Sequence, residues 1–261
     1  MAELSSILDA DRIMYECGLE VLHPGGRQKT DDMARACRVG QRTKVLDIGG
    51  GRGTTACYLA RTFGCEVVGI DVSPHMVEAA RSQVEREELQ SLVTIQVADA
   101  HDLPFESGSF DVILIECVTT LLDKDRAFRE FERVLKAGGY LGDLEMTYQK
   151  EPSVQFSQML SEAWGGFTTM PLPGWQELFR DHGFQVVRVD DFSERLGSMG
   201  RTMMKELGPA GIMKMMSKLL VHPGVATGMM KWDRLFKRGE GVIGYGFIVG
   251  RKTGGSLTDE S

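Results

Sequence analysis

Short apolar runs alternate with stretches of helical periodicity through the first half of the chain. Lys44-Val45-Leu46-Asp47-Ile48 leads into Gly49-Gly50-Gly51-Arg52-Gly53, after which Ala56, Leu59, Ala60 and Phe63 recur at i, i+3, i+4 and i+7. The pattern predicts a strand, a glycine loop and a helix. Glu66 to Asp71 reads as a second strand, followed by Ser73 as N-cap, Pro74 in the first helical position, and an inward stripe of Val77, Ala80 and Val84. Val93 to Val97 and Phe110 to Ile115 predict the third and fourth strands. A helix over 124–136, carrying Phe128, Phe131, Val134 and Leu135, should stop at Ala137-Gly138-Gly139 and pass into a strand over 140–146.

Strands alternating with helices at this spacing need crossover connections, so they predict an α/β fold with a doubly wound, Rossmann-like parallel sheet. The last third differs. Trp175, Leu178 and Phe179 predict a short helix ending at Gly183, Phe184 to Val189 a strand, and Val242 to Val249 a final strand, with a helical stretch, 194–238, between them. Residues 1–40 read as two helical pieces broken by a loop at 22–26.

The length of 261 residues allows one large domain or two modest ones. A formal charge of -7 argues against nucleic-acid binding through the whole surface. No apolar run approaches the roughly 18–20 residues of a membrane-spanning helix, and the expectation is a cytoplasmic protein with no membrane partner. Five cysteines without a CxxC pair predict reduced thiols, and five scattered histidines give no metal-ligand spacing, so no metal is expected.

The chemistry begins at the glycine loop. Gly49, Gly51 and Gly53 permit positive φ and close approach of a ligand, and the helix that follows can meet negative charge. The run Gly51-Arg52-Gly53-Thr54-Thr55-Ala56 fits a variant of the dinucleotide fingerprint, and Asp71, on the order of 20 residues further on, is where a carboxylate can take both hydroxyls of a ribose. A nucleoside derivative is implied. Nicotinamide cofactor and S-adenosylmethionine both stay eligible on these residues alone.

The larger ensemble is more specific. Val45-Leu46-Asp47-Ile48-Gly49-Gly50-Gly51-Arg52-Gly53, then Val68 to Ser73, Ala98 to Phe105, Phe110-Asp111-Val112-Ile113, and Leu135 to Tyr140 come in an order that resembles the class I S-adenosylmethionine-dependent methyltransferases. The likeness covers roughly 42–146 and is nearest to the ubiquinone/menaquinone-biosynthesis and arsenite-type groups. It implies a seven-stranded, mostly parallel sheet whose antiparallel last strand pairs between two others. It also implies S-adenosyl-L-methionine as cofactor: Asp47 and Gly49, Gly51 and Gly53 against its methionine half, Asp71 on the ribose, and Asp99 and Ala100 at the adenine. Val72 and Met76 can pack on the adenine faces. Gly50 departs from the family, which often has cysteine or another small residue there.

The implied domain plan is one methyltransferase domain over 1–261. It comprises an N-terminal lid (1–40), a cofactor-binding core (41–147), substrate-cap segments (148–183 and 194–240), a final strand (241–252) and a flexible tail (253–261). The implied reaction is in-line displacement of the sulfonium methyl group onto a small, partly apolar acceptor. Glu116, His23 and Tyr15 are the candidates for acid–base work, Glu116 also for cofactor contact. Cys117, Tyr148, Trp164 and Trp175 are the candidates for the substrate wall. Eight of the fifteen methionines fall between Met199 and Met230, as a pocket roof or as the contact of a homodimer. Two further readings stand beside this one: a metalloid or thiol methyltransferase, and a cofactor-binding scaffold without turnover.

Overall fold

The structure is a computed structural model and describes residues 17, 23, 25–164, 166–194, 199–221, 239 and 241–254. The elements in order are α1 (Gly26–Ala36), β1 (Lys44–Ile48), α2 (Thr54–Phe63), β2 (Glu66–Asp71), α3 (Pro74–Arg86), β3 (Val93–Val97), β4 (Phe110–Glu116), a 3-10 turn (Thr119–Leu121), α4 (Lys124–Val134) and β5 (Leu135–Tyr148). Then come α5 (Val154–Trp164), α6 (Leu172–Asp181), β6 (Phe184–Asp191), α7 (Met199–Val221) and β7 (Ile243–Lys252).

The seven strands form one sheet in the order β3-β2-β1-β4-β5-β7-β6. β1 to β5 run parallel, and β7 is antiparallel to both of its neighbours, β5 and β6. The doubly wound sheet with its antiparallel last strand is therefore as expected. Buried side chains separate by strand alternation into two layers. Val45, Leu114, Leu144 and Phe247 meet α1, α2, α3 and α5, whereas Leu46, Ile113, Leu141 and Ile248 meet Phe128 and Phe131 of α4 and Trp175 and Phe179 of α6. The strand order reverses between β1 and β4, which opens a crevice outside their carboxyl ends.

One boundary differs from expectation. α4 stops at Val134, and Leu135 is already extended (φ -76°, ψ 139°) and pairs with Phe110. Gly138 and Gly139 sit inside β5 rather than capping the helix: the register passes from Phe110↔Leu135 to Val112↔Tyr140, so three extra residues bulge out of β5. Gly138 takes φ 74°, and a Cβ on Gly139 would come within 2.8 Å of the Asp111 carbonyl oxygen. The glycines serve a bulge because Leu135 gains more by full burial in the α4 layer than by extending the helix.

α1 lies close over the sheet. A Cβ on Gly142 would stand 2.8 Å from Cys37 Sγ and 2.9 Å from Met33 Cγ, so this glycine is what lets the helix settle on β5. Lys29, although buried, is held at that level by Asp190 of β6 (2.7 Å) and Asp32 (3.1 Å) and stands over the Phe192 and Phe247 rings.

Candidate functional site

At the carboxyl end of β1 the chain turns through Gly49 (φ 69°), Gly51 (φ 52°) and Gly53 (φ 77°). Their surroundings differ. A Cβ at Gly49 would clash with Val118, and one at Gly53 would lie 3.0 Å from the Ala80 Cβ, so these two let the loop fold down and α2 approach α3. A Cβ at Gly51 would meet nothing nearer than 4.0 Å, which marks the open side of the loop. Below it, Asp47 is buried, and its Oδ2 lacks a hydrogen-bond partner. Burial pushes the Asp47 carboxyl up to about 8, reinforced by the charges of Glu116 and Asp71 and opposed by the Ala56 N–H.

Asp71 closes β2 beside the loop. Its carboxylate accepts the Gly51 N–H (3.0 Å) and the Ser73 N–H (2.8 Å), one on each oxygen, so its orientation is fixed toward the loop. Next to it Val72 is 72% exposed and offers an apolar surface, while Met76 is buried in the first turn of α3. Asp99 accepts both the backbone N–H (2.9 Å) and the Nδ1–H (2.7 Å) of His101. The backbone N–H, opposed by slight burial and helped by the ring, holds the Asp99 carboxyl below the ordinary value. His101 Nε2 in turn accepts the Asp123 N–H at the start of α4 (3.0 Å). Nδ1 therefore carries the ring proton. Ala100 is buried beside them.

The last residue of β4, Glu116, points to the same face of the sheet as Asp47. Its Oε1 accepts from Thr30 of α1 (2.7 Å) and lies 3.3 Å from His23 Nε2; its Oε2 accepts from Thr55 of α2 (2.9 Å). Burial pushes this carboxyl up, but the charge of His23 and the hydrogen bonds from His23, Thr30 and Thr55 outweigh it and leave Glu116 below the ordinary value. His23 Nε2 also lies 3.0 Å from Thr30 Oγ1. The single hydroxyl proton of Thr30 is committed to the carboxylate, so Nε2 is the donor in this contact. Thr30 and Thr55 carry no signal in the sequence and were not among the expected site residues.

Beyond Glu116, Cys117 takes φ 58°, a left-handed backbone that a residue other than glycine adopts at some strain. Its half-buried thiol is pushed well up by burial and by Glu145, Glu116 and Asp143. Tyr148 ends β5 half-buried. Trp175, expected in the substrate wall, is instead fully buried between α4 and the sheet, because the apolar stripe of α6 that carries it and Phe179 turns inward. Trp164 ends α5 and its side chain lies outside the described residues, as does Tyr15 altogether. Across β5 from Glu116 lie two further buried acids, Asp143 and Glu145, which alternate with Leu144 and Met146 and so face α4 and α6. Burial pushes both up: Asp143 well above the ordinary value, with Glu145 adding to the shift and Lys124 opposing it, and Glu145 to about 7 against hydrogen bonds from Thr120, Met146 and Thr119.

A crevice at the strand-order reversal, a glycine loop above a buried acid, and an acid closing the next strand define an α/β enzyme of the nucleoside-cofactor-binding class. Residues 46–142 match the family model described as "Methyltransferase domain". An uncharacterized protein of Haemophilus influenzae is 31% identical over 222 residues, 83% of this chain and 86% of that protein. Methyltransferase GfsG of Streptomyces halstedii is 28% identical over 260 residues, 95% of this chain and 88% of the relative. Among solved structures, phosphoethanolamine N-methyltransferase 2 of Haemonchus contortus in complex with S-adenosyl-L-methionine has a TM-score of 0.76 at 23% identity, over 90% of this chain and 54% of that one. The chain belongs to the class I S-adenosylmethionine-dependent methyltransferases.

Proposed function

We propose that the protein transfers a methyl group from S-adenosyl-L-methionine to a small, partly apolar acceptor by in-line displacement, with His23 taking the acceptor proton and Glu116 holding His23 in place. The observation that carries this reading is the Glu116–His23–Thr30–Thr55 cluster at the carboxyl end of β4.

The residues fit the cofactor. It carries positive charge on its sulfonium and amino groups, and Asp47, Asp71 and Glu116 are near enough to one another that the last two raise the first. The unpartnered Asp47 Oδ2 is an acceptor in want of a donor, which a cationic ligand supplies. Asp71 would hold the ribose, the exposed Val72 and the buried Met76 the adenine faces, and Asp99, oriented by His101, its exocyclic amine. When bound, the cofactor supplies an activated methyl group.

The rest is positioning and proton handling. Glu116, ionised, orients His23, which takes the proton of an acceptor hydroxyl or amine. Thr30 brings α1 to this contact, so α1 covers this side of the site and helps to exclude water. Cys117 and Tyr148 are the nearest candidates for the acceptor wall, and Tyr15 for a second acid–base group. The metalloid or thiol reading is weaker: Cys17, Cys37, Cys57 and Cys65 are buried, and burial raises Cys37 and Cys117 strongly, so neither is a thiolate at neutral pH.

The test is multiple-turnover release of S-adenosylhomocysteine across a panel of hydroxyl, amine and carbon acceptors, run with equilibrium binding of labelled cofactor. Turnover with an O–H or N–H acceptor that falls in His23→Gln while cofactor affinity holds supports the proposal. Tight binding without product across the panel would point to the scaffold reading.

A further inference from the structure

Lys29 stands where helix packing alone would put an apolar side chain. The inward stripe of α1 is Gly26, Lys29, Thr30, Met33 and Ala34, and Lys29, in its middle, is only 5% exposed. Burying an ammonium group is costly unless partners offset it, and a leucine or methionine would fill the same stripe without that cost. Its partners are specific. Nζ donates to Asp190 Oδ2 near the end of β6 (2.7 Å) and to Asp32 Oδ2 one turn on (3.1 Å), and it lies 5.1 Å and 5.7 Å from the Phe192 and Phe247 ring centroids.

The next residue, Thr30, turns about 100° further round the helix and donates to Glu116 Oε1 at the end of β4 (2.7 Å). Two consecutive side chains thus tie α1 to two strands, β6 and β4, that have β5 and β7 between them. Apolar burial is non-directional, so the packing over Gly142 sets how close α1 comes to the sheet but leaves it free to roll about its axis or slide a little along it. A pair of short, directional bonds to separate strands removes both freedoms.

We propose that Lys29 is a positioning residue for methyl transfer: through Asp190 it fixes the rotation of α1, so that Thr30 reaches Glu116 and the Glu116–His23 contact forms. The proposal rests on the reading of His23 as the group that takes the acceptor proton, and Lys29 acts on that group only through α1.

Lys29→Met tests it, because methionine refills the stripe and removes the directional bond. Asp190 is 27% exposed at its side chain and has Arg188 at 4.0 Å, so the change leaves no buried unpaired charge and the unfolding midpoint should move little. The signature is the His23 Nε2 proton that faces Glu116. In proton NMR of the full chain with isotope-labelled histidine it should give a downfield resonance in the parent, and that resonance should be lost or move upfield in Lys29→Met, as it should in the control Glu116→Gln. With the acceptor that turns over in the panel, kcat should fall by about tenfold or more while KM for S-adenosyl-L-methionine holds within about threefold. Adding Lys29→Met to Thr30→Val should lower kcat by less than about twofold further, since both act through one contact. Asp190→Asn should act in the same direction and serves should Lys29→Met fail to fold. A resonance and kcat unaltered in both variants, or a lowered midpoint with the resonance in place, would overturn the proposal. The two readings separate cleanly: a resonance lost in Lys29→Met while His23→Gln still turns over supports the anchoring of α1 and removes only the role given to His23, whereas a resonance kept while His23→Gln loses turnover overturns the anchoring and keeps that role.

Discussion

Glu116 ends β4 and Glu145 lies three residues before the end of neighbouring β5; both are buried, and their carboxyls shift in opposite directions. Glu116 has a hydroxyl on each oxygen and an imidazole within 3.3 Å, and it stays below the ordinary carboxyl value. Glu145 accepts from the backbone N–H (3.2 Å) and hydroxyl of Thr120, the Thr119 N–H and the Met146 N–H (3.2 Å), but burial outweighs these donors and pushes it up to about 7. The faces differ as well: Glu116 turns to α1 and α2, Glu145 to α4 and α6. Burial alone therefore does not decide whether a carboxylate is ionised. Hydroxyls from two separate helices and an imidazole keep Glu116 ionised, whereas the donors to Glu145 come from one turn and its own strand.

Four changes would break or sharpen this contrast. The largest effect is expected from Glu116→Gln, which removes the charge that holds His23: turnover should fall by about 10²–10⁴-fold, with a much smaller change in cofactor affinity, read by single-turnover kinetics and binding. The corresponding Glu145→Gln should act on stability instead. Glu145 keeps its proton in the folded chain up to about pH 7, whereas the unfolded chain releases it near the ordinary value of 4.5, so folding stability declines between those values. The glutamine variant lacks this decline and should exceed the parent by about 1–3 kcal/mol at pH 8 while matching it near pH 5, as urea titrations at the two pH values would show.

Thr55→Val should cost about 1–2 kcal/mol by leaving Glu116 Oε2 without its donor. It also raises the folded value of Glu116. Since a depressed carboxyl gives stability that is lost as pH falls through its folded value, acid unfolding should begin at higher pH in the variant. Asp143→Asn works in the same sense as Glu145→Gln. Burial and the neighbouring Glu145 hold the folded Asp143 carboxyl well above the ordinary value of 3.8, so the parent loses stability as pH rises past that value, and the amide variant should match it near pH 4 and be more stable by about 1 kcal/mol or more at pH 7, as urea titrations at the two pH values would show.

The part of the molecule that could be read in the sequence is the part whose chemistry is local. Gly49, Gly51, Gly53, Asp71 and Asp99 each stand at a strand end that apolar runs announce, and β1 to β4 fall within a residue of their expected limits. The bulge in β5 escaped notice because Gly138-Gly139 is an equally good helix stop, and only the buried pairing of Leu135 with Phe110 decides the matter. Glu116 and His23 were candidates singly. Their contact, and the parts played by Thr30 and Thr55, depend on how α1 settles over Gly142, which joins residues 61 to 93 positions apart and leaves no periodicity behind. Helix α5 was missed inside a stretch read only as a cap segment, and Trp175 was misplaced because an aromatic beside Pro173 and Gly174 looks the same whether it faces a ligand or the core.

The antiparallel pairing of β6 with β7 has one more consequence. The Phe192 N–H bonds to the Tyr245 carbonyl (3.0 Å) and the Tyr245 N–H to Ser193 Oγ (3.1 Å), so the chain leaves the sheet and rejoins it at one narrow doorway. Everything between the two doorposts is a closed excursion, and doubling its length would add only about 0.6 kcal/mol of closure entropy. Such an excursion can be grown, shortened or replaced in the course of descent while the parallel strands and their glycine loop keep their register. A lineage built on this frame can thus change where it works, and on what, without rebuilding how it holds its cofactor.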